Sequence, residues 1–131
     1  PDIIIVVMVI SSRNIVDLNN IGKSLSQVLQ NLCPDALVVA SSDMTHHESQ
    51  ASANRKDKIA IDEVLSLNED NLYSKVHDMR ITMCGIYPTV TMLVCSKERG
   101  AKTAELVRYE TSGDTTGDYE QVVGYAGIMV S

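Results

Sequence analysis

The chain opens on an unbroken apolar run, Ile3-Ile4-Ile5-Val6-Val7-Met8-Val9-Ile10. β-Branched residues dominate it and no polar position interrupts it. Such a run suits a strand buried on both faces, as in a parallel sheet covered by helices. Ser11 and Ser12 follow as turn or N-cap residues. The spacing then changes. Ile15, Leu18, Ile21, Leu25, Val28, Leu29 and Leu32 recur at helical intervals, with Asp17 near the favourable N-terminal end. Pro34 disfavours helical geometry at Cys33 and stops the helix there. Leu37-Val38-Val39-Ala40 predicts a second buried strand. Strand, helix and strand make a βαβ unit, whose default is parallel pairing through a right-handed crossover.

Ser41 to Asn54 is polar and reads as the loop after that strand. Lys58 to Leu67 predicts a helix with Ile61, Val64 and Leu65 on one side. Asn68-Glu69-Asp70 caps and starts another, with Leu72, Tyr73 and Val76 inward. Ile81 to Gly85 is a short irregular link. Pro88 to Arg99 is ambiguous: Thr89-Val90-Thr91 favours strand, whereas Pro88 in a first turn, basic Lys97 and Arg99, and Gly100 as terminator favour helix. Helix is the reading adopted. Ala104–Thr111 and Gln121–Val130 predict strands around the turn-rich Gly113–Asp118. The expected fold class is therefore α/β, a central, largely parallel or mixed sheet flanked by helices, in one domain over residues 1–131.

Composition narrows the picture. A chain of 131 residues can bury roughly two-thirds of its unfolded surface. With no Phe and no Trp, its core must be aliphatic. The formal charge of −6 and only five tyrosines argue against a nucleic-acid partner. No stretch reaches the ~20 apolar residues of a membrane span. Cys33, Cys84 and Cys95 are odd in number and widely spaced, which predicts free thiols in a reducing, cytoplasmic setting. Pro1 opens almost directly onto a hydrophobic run, and the expectation is a processed, split or truncated chain.

The chemistry gathers at Ser41-Ser42-Asp43-Met44-Thr45-His46-His47, just beyond the second predicted strand. In open α/β sheets, ligands bind beyond the carboxyl ends of the strands. A His can act as a base near neutral pH, and a carboxylate beside it can orient it. The same residues also fit a plainer role, with Asp43 capping a turn and the histidines solvated. Asp43, His46 and His47 could hold a divalent ion, although their spacing matches no strong zinc pattern. Adjacent His46 and His47 should point apart, leaving one of them for the site. Cys84 precedes Gly85, which permits close backbone approach, and a predicted helix start, where the dipole favours thiolate. A thiolate can serve as nucleophile or soft metal ligand; a lone Cys is otherwise a small buried hydrophobe. Cys33 and Cys95 are assigned that second role, and His77 a structural one at a helix end. Gly113–Asp118 lacks the Lys of a phosphate loop and reads as a tight connection.

Four segments taken in order, Val39-Ala40-Ser41-Ser42-Asp43-Met44-Thr45-His46, Ile81-Thr82-Met83-Cys84-Gly85 with Pro88 after it, Ser112-Gly113-Asp114-Thr115-Thr116-Gly117-Asp118-Tyr119 and Val122-Val123-Gly124-Tyr125-Ala126, resemble the Memo family. Its prokaryotic members are called AmmeMemoRadiSam system protein B, and its eukaryotic members resemble an adaptor acting downstream of receptor tyrosine kinases. The resemblance spans essentially the whole chain and matches the C-terminal half of the family's usual length. It implies a fold similar to class III extradiol dioxygenases, non-haem iron enzymes with an α/β sandwich. It implies Cys84 as a metal ligand, His46 as acid/base and Asp43 as its acidic neighbour; apart from the resemblance, Ser42, His47, Gly85 and Asp114 are expected to border the cleft.

The family's two histidine ligands belong to its N-terminal half, and no residue here matches them. The complete protein is thus expected to carry iron or copper and metal-linked redox activity of dioxygenase type. This chain alone is expected to hold no metal firmly and to be inactive. Its expected partner is the N-terminal half of the same fold, on the same or a second chain. A homo-oligomer would equally cover the apolar edge at Ile3–Ile10. Two other functions compete with this one. A non-catalytic module would bind a peptide or small ligand in the old cleft, and a thiol hydrolase would use Cys84 and His46.

Overall fold

The computed structural model describes residues 3–131. The helical spacing after Arg13 becomes α1, Ile15–Leu32. Its N-cap is Asn14, whose side chain accepts from the Val16 and Asp17 amides, so Ser11 and Ser12 do not serve as the cap. Ser12 instead donates to Asp17 across 2.7 Å. Helix α2, Gln50–Leu65, begins earlier than its apolar residues suggest. Ser49 caps it, and its first turns bury small or polar side chains, Ala53 and Asp57, which carry no hydrophobic signal. Asn68 caps α3, Glu69–Asp78, with Leu72 and Val76 buried. Helix α4, Ile86–Glu98, settles the ambiguity at Pro88 in favour of helix, and Thr89, Val90 and Thr91 are all buried within it.

The chain ends in a β-hairpin. Strand β2, Ala104–Thr111, pairs antiparallel with β3, Val122–Val130, and the one-turn helix α5, Gly113–Thr116, lies between them. A short strand β1, His46–Glu48, joins the other edge of β3, so the sheet runs β1-β3-β2 and is antiparallel throughout. Helix α1 packs along α4, α3 bridges α4 to α2, and α2 lies against the sheet. The core between them is aliphatic: Leu18, Ile61, Val64, Leu72, Ile86, Val90 and Leu93. The architecture is therefore α/β, helices around a small sheet.

Parallel pairing is the part of the expectation that fails. Ile3–Ile10 and Leu37–Ala40 enter no helix or strand among the described residues. A strand needs a ladder partner for its N–H and C=O groups, and neither segment has one here. Val7 is 83% exposed and Leu37 86%. Alternate side chains, Ile4, Val6, Met8 and Ile10 with Leu37, Val38 and Val39, line a groove of about 540 Å³ over α1 and the start of α4. Cys33 also lines it and is exposed, because it is the C-cap of α1 and not part of a buried face. Cys95 is buried as expected, and desolvation raises its thiol pKa.

Candidate metal centre

Two links between elements meet through hydrogen bonds. One is Ser41–Thr45, leading into β1; the other is Ile81–Gly85, leading into α4. Cys84 N–H donates to the Asp43 carbonyl at 3.3 Å, and Asp43 N–H donates to Cys84 Sγ at 3.1 Å. The amide contact fixes where the sulfur sits, as hydrogen bonds to a metal-binding side chain do. Ser42 Oγ accepts from Gly85 N–H at 2.9 Å and donates to the Asp43 carbonyl at 2.8 Å. Gly85 is the N-cap of α4. A Cβ there would run into the Ser41 carbonyl and the Ser42 side chain, so only glycine lets the two links close.

His46 enters this cluster by a bend in the strand. The register between β1 and β3 slips between His46 and Glu48, and His47 takes a left-handed φ of 57°. A bulge of this kind re-aims neighbouring side chains. His47 points away into solvent, its ring centroid 6.1 Å from that of His46 and tilted by 52°. Thr82 holds His46 twice. Its hydroxyl accepts from His46 N–H at 2.7 Å, and its carbonyl lies 2.8 Å from His46 Nδ1. A carbonyl only accepts, so Nδ1 carries the hydrogen, and in the neutral imidazole Nε2 is the free nitrogen. That Nε2 lies 3.5 Å from Asp43 Oδ2.

Ligand atoms of Asp43, His46 and Cys84 all lie within 4.8 Å of one another. Carboxylate, imidazole and thiolate are each established ligands for divalent transition metals. The imidazole also has its other nitrogen fixed by a backbone carbonyl, the usual arrangement for a ligating or reacting His. The residues present fit a metal.

Of the other residues singled out, Ser42 and Gly85 build the wall beneath the cluster, while His47 borders it from outside. Asp114 serves the hairpin loop. Its Oδ2 accepts from Thr111 N–H at 2.8 Å, a backbone bond that holds its carboxyl below the usual range, and Gln50 Nε2 donates to Oδ1. His77 caps its own helix end, with Nδ1 2.7 Å from the Tyr73 carbonyl and its ring against Tyr73. Thr82 carries no signal in the sequence, because its contribution is a main-chain carbonyl and a surface hydroxyl.

The family model described as Memo-like protein matches residues 1–129. A MEMO1 family protein of Methanocaldococcus jannaschii is 44% identical over 110 residues, which cover 84% of this chain and 38% of that protein. One from Aquifex aeolicus is 44% identical over 108 residues, 82% of this chain and 40% of the relative. A third, from Methanococcus maripaludis, is 40% identical over 111 residues, 85% and 39% respectively. The matched segments thus span about two-fifths of the length of these curated relatives. With the model match running almost end to end, the chain belongs to the Memo-like protein family.

Proposed function

We propose that this chain supplies one wall of a metal-dependent redox cleft of the class III extradiol dioxygenase type. Cys84 is the metal ligand, and His46 with Asp43 is the acid/base pair beside it. The observation that carries this reading is the convergence of Asp43, His46 and Cys84 within 4.8 Å. A bound iron or copper ion would supply redox and Lewis-acid chemistry there. The chain's own residues do the rest. Thr82 fixes the His46 tautomer, leaving Nε2 to take a proton from a bound substrate. Asp43, 3.5 Å away, stabilises the imidazolium that results. The Asp43 amide and Ser42 hold the Cys84 link in place.

The remaining ligands come from a second segment of the family fold, on the same or another chain. Two observations support that partner. The matched region is about two-fifths of its relatives' length, and the aliphatic Ile3–Ile10 and Leu37–Ala40 segments carry unpaired backbone beside an apolar groove. Strand addition along those segments would extend the small antiparallel sheet into the larger mixed sheet of a dioxygenase-like fold. The groove also favours a second reading, a non-catalytic module that binds an apolar peptide there. The two are separated by metal content. Elemental analysis of the protein purified together with that second segment should find iron or copper that Cys84→Ala loses. Equal metal in both proteins removes Cys84 as ligand and leaves the binding module.

A further inference from the structure

His46 turns Nε2 toward Asp43 and Cys84 only while the backbone of Met44 to His46 keeps its course. That backbone is gripped from behind. Asp57, midway along α2, is completely buried. Its Oδ1 accepts from Thr45 N–H at 2.9 Å, and its Oδ2 accepts from the Tyr109 hydroxyl at 2.7 Å. Strand β3 completes the grip: Met44 N–H donates to the Gly124 carbonyl and Gly124 N–H to the Thr45 carbonyl, each at 2.9 Å. Gly124 also makes the room, because a Cβ there would collide with Asp57 Oδ2.

A buried carboxylate is costly unless its oxygens are bonded. An apolar residue would pack α2 against the sheet more cheaply. The Asp57 carboxylate is instead directed to the main-chain amide immediately before His46 and to one hydroxyl. Burial, with the Asp57 carboxylate next, keeps the Tyr109 phenol above its usual pKa, so it remains a donor.

We propose that Asp57 is a positioning residue: through Thr45 N–H, and braced by Tyr109, it sets the loop so that His46 gives Nδ1–H to Thr82 and Nε2 to the cleft. Its purpose rests on the reading under Proposed function; its geometry does not. Loss of the Oδ1 acceptor frees Thr45, lets the loop drift, and releases His46 from the Thr82 carbonyl.

The test uses the metal-free chain and reads the His46 tautomer by long-range proton–nitrogen correlation, above the pH range where imidazole titrates. Wild type shows the Nδ1–H tautomer. Asp57→Asn retains it, since the amide oxygen still accepts from Thr45 while its NH2 faces the Tyr109 oxygen. Asp57→Ala lowers the Nδ1–H to Nε2–H ratio roughly tenfold, the weight of one ordinary hydrogen bond. Tyr109→Phe lowers it less, and decides the matter alone if Asp57→Ala does not fold. Leu72→Ala, a buried change in α3, lowers stability and leaves the ratio alone. An unchanged ratio in Tyr109→Phe and in folded Asp57→Ala overturns the proposal, as does an equal fall in Leu72→Ala. No metal enters this readout, so failure of the metal reading shows separately, in the elemental analysis of Cys84→Ala.

Discussion

Strand β3 and the Ile3–Ile10 segment both draw on Val, Ile and Met, yet only one of them is packed. Val122, at the start of β3, is fully buried, while Val7 is 83% exposed. The difference is the neighbours. Strand β3 has β1 on one edge, β2 on the other and α2 across its face. Ile3–Ile10 has α1 and α4 under alternate side chains and no ladder among the described residues. Aliphatic β-branched residues make a strand possible; a paired backbone makes it one. The packed region is also the one that holds the candidate metal centre, and the unpacked one is where a partner segment is proposed to join.

Substitutions should separate the two regions by size of effect. Leu93→Ala, in the fully buried part of α4, should cost about 2–5 kcal/mol in urea unfolding. Gly124→Ala should cost roughly 1–3 kcal/mol, since the added methyl forces the buried Asp57 carboxylate aside. High pH should weaken the same place. The folded-state pKa of Tyr109 lies above its unfolded value of about 10, so the folded form holds a proton that the unfolded form loses. Stability is therefore level below that pH and declines above it, and Tyr109→Phe should remove this component of the alkaline loss. Val7→Ser should change stability by less than about 0.5 kcal/mol in this chain. A large loss there would mean that Ile3–Ile10 is already covered.

Much of this arrangement can be read from the residues. The α1 spacing gives its bounds because a full apolar stripe repeats along it, and the Asn68 cap of α3 is explicit. The first turns of α2 are hidden because their buried face is Ala53 and Asp57, which look like solvated positions. The parallel βαβ expectation follows from hydrophobicity alone and fails where pairing decides. At the site, Asp43, His46 and Cys84 are legible because their chemistry is uncommon and close to turns. Asp57, Thr82 and Gly124 are not. Their roles are a buried acceptor, a carbonyl and an absent side chain, none of which residue type announces.

The central claim is that Cys84 anchors a metal beside His46 and Asp43. Cobalt(II) titration tests it most directly, because thiolate ligation adds a sulfur-to-metal charge-transfer absorption. The account predicts that wild type and Cys33→Ala develop this band and that Cys84→Ala does not, although Cys33 is also exposed. A band that survives in Cys84→Ala, or one that vanishes in Cys33→Ala, would contradict it.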